Sequence, residues 1–163
     1  MLRLNVKLAA QIVIDTNVIL HADNPVSGYQ SDSKNFLDRF LTKGCYRLAL
    51  DRSPPLGRQH NESQILQEYS EHVTYVSSFG HYFLIEVLKR SWFDVVGRTN
   101  DRREKKIIIQ EVSDKVDRIF LRVTCMTNSR KLVTHDFDDF PMQKRERLAE
   151  ALQVRFLTAR ELI

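Results

Sequence analysis

The chain has 163 residues, 42% of them hydrophobic, with a formal net charge of +4 and a sequence pI of about 9.2. That length suits one domain with a sizeable core, and the lack of internal repeats, heptads or low-complexity tracts excludes solenoid, coiled-coil and fibrous classes. The basic surplus favours a polyanionic partner without requiring one.

Arg3 and Lys7 precede an apolar stretch that stops at Asp15, too short for a signal-peptide core or a membrane span. A cytoplasmic protein with no membrane association is expected. Cys45 and Cys125 have no Cys-x-x-Cys partner and read as two buried thiols in a reducing compartment rather than a disulfide.

Gln11–Asp15 reads as a short buried strand ending on an acid, after which Thr16 and Asn17 supply capping and turn chemistry. Residues 23–32 are rich in Asp, Asn, Pro, Ser and Gly and read as loop. From Ser33, the stripe of Phe36, Leu37, Phe40 and Leu41 predicts a helix, with Gly44 as its stop. Cys45–Asp51 is a second strand, broken by Ser53-Pro-Pro-Leu-Gly57. Ser63 caps a helix carrying Ile65, Leu66, Tyr69 and Val73, and a further helical stretch covers His81–Arg90. Residues 97–106 are polar and basic. From Ile107, apolar residues Val112, Val116, Ile119, Phe120 and Val123 recur at helical spacing. Lys131–Thr134 is a strand, Gln143–Leu152 a helix and Val154–Leu157 a last strand. Strands alternating with helices predict an α/β domain with a largely parallel sheet.

Asp15 and Asp136 each follow a short apolar strand, and in parallel sheets the functional crevice lies outside the carboxyl ends of the strands. Glu68 and Asp117, both on helices, can point to the same edge, with Glu71 and Asp114 as competitors; Asp138 and Asp139 read as loop or capping residues, and whether Asp114 or Asp139 replaces one of the four acids is left open. Carboxylates crowded within about 5 Å repel by roughly 3 kcal/mol per ionised pair at an effective dielectric of about 20, which protons or cations must relieve. Oxygen-only ligands select hard ions, Mg²⁺ or Mn²⁺, and such ions can activate water against a phosphodiester. An aspartyl phosphatase wants a second acid where Asn17 stands, and a calcium loop at Asp136–Phe140 fails because Pro141 occupies the place of its glycine.

The stretches Ile12-Val-Ile-Asp15-Thr-Asn17-Val-Ile-Leu20, Ile65-Leu-Gln-Glu68-Tyr69, Asp117-Arg-Ile-Phe-Leu and Leu132-Val-Thr134-His-Asp136-Phe-Asp-Asp-Phe140, with the tail Val154–Ile163, resemble the PIN domain nucleases in order and spacing. The resemblance covers residues 9–163 as a single domain and implies an α/β/α sandwich. It also implies a metal-dependent endoribonuclease whose metal-binding and catalytic acids are Asp15, Glu68, Asp117 and Asp136, supported by Asn17 and Thr134. Single-stranded or structured RNA is the implied substrate, and an antitoxin protein and a second copy of the chain are the further partners it suggests. A non-cutting RNA- or protein-binding module and a structure-specific DNA nuclease are the alternatives. The chain departs from the family pattern at the bulky Phe120, Leu121 and Arg122 after the third acid, at Ser129-Arg130 where a glycine is usual, and by one extra residue between Asp136 and Phe140.

Arg98, Arg102, Arg103, Lys105 and Lys106 set five cations against two acids, and Lys144-Arg145-Glu146-Arg147 forms a second basic run. As phosphate contacts these would guide a nucleic-acid backbone toward the acids without reading sequence. As ordinary solvated helix starts they would do nothing of the kind. Tyr75, Tyr82 and Trp92 are base-stacking candidates that read equally well as core or interface residues.

Overall fold

The computed structural model describes residues 9–52 and 63–163, so the Ser53–Gly57 break lies outside the described residues. Five strands form an all-parallel sheet in the order β3-β2-β1-β4-β5. These are β1 (Ala10–Ile14), β2 (Tyr46–Asp51), β3 (Phe93–Val96), β4 (Lys131–Val133) and β5 (Arg155–Leu157). Ile12, Val13 and Ile14 are all fully buried although consecutive strand residues face opposite ways, so both faces of the sheet are covered.

The chain builds β1, β2 and β3 outward on one side, then crosses to place β4 and β5 on the other. The direction of winding therefore reverses between β1 and β4, the place where parallel α/β sheets open a crevice.

Seven α-helices pack around the sheet among the described residues: α1 (Thr16–His21), α2 (Gln30–Lys43), α3 (Gln64–His72), α4 (Phe79–Lys89), α5 (Arg102–Glu111), α6 (Lys115–Thr124) and α7 (Met142–Leu152). α6 lies against β1, β2 and β4 with α3 and α5 beside it, while α2 packs with α1, α4 and a closing 3-10 turn, Ala159–Leu162. This is the α/β domain with a parallel sheet that the alternation of elements predicts, layered as the α/β/α sandwich that the resemblance implies. α1 and α4 approach closely at Gly80, where a Cβ would come within 2.8 Å of the Ile19 side chain. Asp23 accepts from the Phe79 and Gly80 N–H groups and so joins the two helices.

Four local expectations are corrected. α2 begins at Gln30, three residues before the expected start at Ser33, inside the stretch read as loop. β3 has no counterpart in the expected elements: only four residues long at the sheet edge, it shows no buried run for periodicity to detect. The periodic run from Ile107 is two helices, because Val112 takes extended backbone and Asp114 starts α6 by accepting from Val116 N and Asp117 N. Finally, both cysteines are free but only Cys125 is buried; Cys45 is exposed. No helix is long and apolar enough to cross a membrane among the described residues.

Candidate metal and nucleic-acid site

The switch point carries acids because two neighbouring strands end there. β1 delivers Asp15, which caps α1 by accepting from the Asn17 N–H at 3.2 Å. β4 ends one residue before Thr134, whose hydroxyl donates to Asp15 Oδ2 at 2.7 Å and accepts from the Asp136 N–H at 3.0 Å. One fully buried hydroxyl thus ties the two strand-end acids together. Asn17 makes a second tie, its amide donating to Asp15 Oδ2 at 3.1 Å while its carbonyl oxygen accepts from the His135 N–H at 3.2 Å. Tyr69 of α3 donates its hydroxyl to the carbonyl of Ile14, pinning the end of β1.

Asp136 bends the following loop back on itself, Oδ1 accepting from the N–H groups of Asp138 (3.1 Å) and Asp139 (2.8 Å). Arg145 of α7 braces the loop from the other side, donating to the carbonyls of Phe140 (2.6 Å) and Asp136 (2.8 Å). The turn brings Asp139 beside Asp136, and α6 delivers Asp117 from its first turn. Oxygens of Asp117, Asp136 and Asp139 all lie within 4.8 Å of one another.

Of the four acids named from the sequence, Asp117 and Asp136 share this cluster, and the third member is Asp139, which the sequence offers as a loop or capping residue and as an alternative to one of the four. Asp15 stands behind it, 8% exposed, with Oδ2 already accepting two hydrogen bonds. Glu68 lies farther along α3, near enough to Asp15 to raise its pKa, and pairs with His72 at 3.0 Å. The competitors are spent elsewhere: Asp114 caps α6, and Glu71 accepts from Gln67 Nε2. Arg118 and Arg122 do not pair with Asp117; they donate to the carbonyls of Val112 and Thr99.

Electrostatics record the crowding. Burial, and then the charges of Asp15, Asp114, Asp136 and Asp139, push Asp117 up to about 7. Asp15 is pushed to about 6, mainly by burial and further by Asp136 and Glu68, while its bonds from Thr134 and Asn17 pull the other way. Asp139 is raised chiefly by Asp136. An all-carboxylate donor set in which one member keeps its proton to near neutrality fits a hard divalent cation, since it offers only oxygen and gains when positive charge enters.

The basic residues divide. Arg98 is not available to a phosphate: its guanidinium grips the fully buried carboxylate of Asp51 and also reaches Gln64. Arg102, Arg103 and Lys106 are exposed and make no ion pair among the described residues, but Glu104 between them binds Arg130, which precedes β4 at the edge away from the acids. Lys105 lines a pocket with Lys115, Arg118 and Arg122. Lys115 and Ile119 also line the neighbouring pocket of Glu68 and Glu71, so the two pockets share a wall along α6; neither is lined by Asp117, Asp136 or Asp139. Lys115 and Arg118 escape sequence reasoning because they sit singly in a mixed-charge helix. The second basic run is absorbed internally, with Lys144 on the Asp139 carbonyl, Arg145 on the loop and Arg147 on Glu111. Tyr75 and Tyr82 are exposed, whereas Trp92 packs against the core under Arg90.

No protein-family model, curated protein or solved structure matches this chain.

Proposed function

We propose that the chain is a Mg²⁺- or Mn²⁺-dependent endoribonuclease of the PIN type, acting in the cytoplasm on single-stranded or structured RNA. The observation that carries the reading is the cluster of Asp117, Asp136 and Asp139 at the switch point, backed by Asp15 through Thr134. Three ionised carboxylates at that spacing would repel by roughly 3 kcal/mol per pair, a cost that a bound cation would relieve. Asp117, Asp136 and Asp139 would hold the ion. Such an ion supplies charge neutralisation at the phosphodiester and a hydroxide nucleophile at neutral pH.

The chain's own residues do the positioning. Thr134 and Asn17 fix Asp15 in one rotamer, so its charge bears on the cluster from a set direction. Arg145 holds the Asp136 turn closed against the repulsion inside it. Lys105, Lys115 and Arg118 line the approach along α6, where a polyanion would be drawn in.

Cleavage of single-stranded RNA, single-stranded DNA and duplex in Mg²⁺, Mn²⁺ or EDTA tests the proposal. RNA should be cut only with the ions, and Asp136→Asn should lower the rate at least about 100-fold, the upper end of what supporting groups alone cost. Asp15→Asn, which removes a supporting carboxylate, should lower the rate about 10- to 100-fold while leaving the fold intact. Cutting that survives EDTA and both substitutions eliminates metal-ion catalysis. Cutting confined to DNA favours the structure-specific nuclease, and binding without cutting favours the non-catalytic module.

A further inference from the structure

Beside the acidic cluster lies a second concavity with different chemistry. A pocket of about 370 Å³ is lined by Asn17, His21, Tyr29, His135, Asp136, Phe137 and Asp138. That volume falls within the range of small-molecule sites. Its wall is aromatic. The Tyr29 ring lies 4.5 Å from His135 at 25° and 5.8 Å from Phe137 at 23°, so three rings run nearly parallel. His21 meets Tyr29 edge-on at 5.4 Å.

His135 is the buried member of this stack, and Tyr29 and Phe137 are its exposed members. His135 is buried and locked, its Nε2 accepting from the Ala159 N–H at 3.1 Å, which leaves Nδ1 to donate to Ser33 Oγ at 3.4 Å. Arg145 stacks on Phe137 at 4.1 Å while bracing the Asp136 turn. Tyr29 and Phe137 nevertheless stay 37% and 42% exposed, although both stand in an ordered aromatic stack. Polar groups flank the opening: the Asp138 carboxylate, and a His21 imidazole whose Nδ1 is taken by Ser27 Oγ at 2.7 Å, leaving Nε2 for a ligand.

Asp136 belongs to both features, lining this pocket and sharing the cluster with Asp117 and Asp139. We infer that the pocket is a nucleobase subsite: the base of a nucleotide adjacent to the phosphate at the acidic cluster leaves its stack and lies on Tyr29 and Phe137. The inference rests on the nuclease reading and narrows it to substrates whose bases are unpaired at the cleavage site. A paired base cannot reach the rings without breaking its duplex, whereas an unpaired base loses little by unstacking, and every base offers a π-face to an aromatic platform.

The test uses single-stranded RNA oligomers carrying 2-aminopurine at successive positions, bound to the full chain in EDTA and, separately, cleaved in Mn²⁺. Stacking in the pocket should quench one position in the wild type. Tyr29→Leu should abolish that quenching, weaken binding about 5- to 100-fold, and raise KM while leaving kcat within a few-fold. Tyr29→Trp, which keeps a stacking surface at an exposed site, should preserve both the quenching and the affinity. Mn²⁺ binding, followed by its electron paramagnetic resonance signal, should be the same in all three proteins. Single-stranded DNA of the same sequence runs alongside, and quenching with either strand supports the pocket. A wild type that cleaves RNA but quenches no position, or a Tyr29→Leu protein with unchanged quenching and KM, overturns the subsite and spares the nuclease. Tyr29-dependent quenching in a protein that never cleaves keeps the subsite and removes the nuclease.

Discussion

The Asp117 carboxyl ionises near pH 4 in an unfolded chain and only at about 7 in the fold, and Asp15 shifts from the same starting value to about 6. Between those values these two acids hold more protons in the fold than in the unfolded chain, so they remove stability as pH rises from about 4 to about 7; His135, held down to about 4 by burial, opposes them up to about pH 6.5. Asp117→Asn keeps the side chain's size and removes the larger of the two shifts. Its metal-free profile should therefore lack the fall that Asp117 contributes between about pH 4 and about 7. At pH 7 the variant should melt a few degrees above the wild type, since about 1 kcal/mol moves the melting temperature of a domain this size by roughly 2–4 °C. Mn²⁺ should narrow or reverse that gap, because a ligand at about 100 times its Kd adds roughly 2.7 kcal/mol to the protein that binds it. Thermal melts of both proteins across pH, with and without ion, decide the matter. Equal pH profiles and equal metal shifts would show that Asp117 bears neither the repulsion nor the ion.

At the scale of elements, Arg98 illustrates how a cation in a basic run acquires a structural task. Asp51 ends β2 with its carboxylate fully buried, accepting from Ser63 Oγ and the Ile65 N–H as well as from Arg98. Ser63 is the cap of α3, the helix that carries Glu68 and the Tyr69 hydroxyl bonded to β1. Arg98→Ala leaves a buried charge with its two neutral donors only. It should cost roughly 3–5 kcal/mol, against less than about 0.5 kcal/mol for Arg102→Ala on the exposed first turn of α5. Urea titration of the two variants separates the roles. An Arg98→Ala protein that unfolds at the wild-type midpoint yet loses RNA affinity would return Arg98 to the phosphate contacts.

For the molecule as a whole, a net charge of +4 says less than where the unpaired cations lie. Lys105, Lys115 and Arg118 share the pocket that continues into that of Glu68, whereas Arg102 and Arg103 stand on the part of α5 tied to Arg130. Replacing Lys105 and Lys115 with Ala should weaken RNA binding about evenly across sequences. The slope of log affinity against log salt should fall by about 0.7 for each single-strand phosphate that is no longer neutralised. Arg102→Ala with Arg103→Ala should change the slope less. The reverse ranking, measured between about 50 and 200 mM salt, would move the backbone track to α5.

Local sequence was enough for the framework. Runs such as Ile12-Val-Ile and Leu132-Val are buried on both faces, so they had to be strands of a covered parallel sheet. The acids that follow them had to emerge at its carboxyl edge. Three-residue caps such as Ser63 to Leu66 are equally local. What local pattern could not settle was partnership across the chain. Nothing near Arg98 announces that its partner lies 47 residues earlier, and a four-residue edge strand such as β3 owes its existence to pairing with β2. The sequence leaves Asp139 between a loop or capping role and a place among the acids, because its neighbours are loop formers; the Asp136 turn, held by Arg145 and set against the start of α6, makes it the third acid of the cluster. Arg130 shows the same in backbone form. It takes φ of 52°, a left-handed conformation uncommon for a residue with a side chain, and its guanidinium bond to Glu104 is a tertiary contact that accompanies the turn. Strand and helix follow from short-range periodicity and capping. The chemistry of the site depends on carboxylates and cations brought together by the crossover from β3 to β4, and that proximity exists only once the sheet has closed.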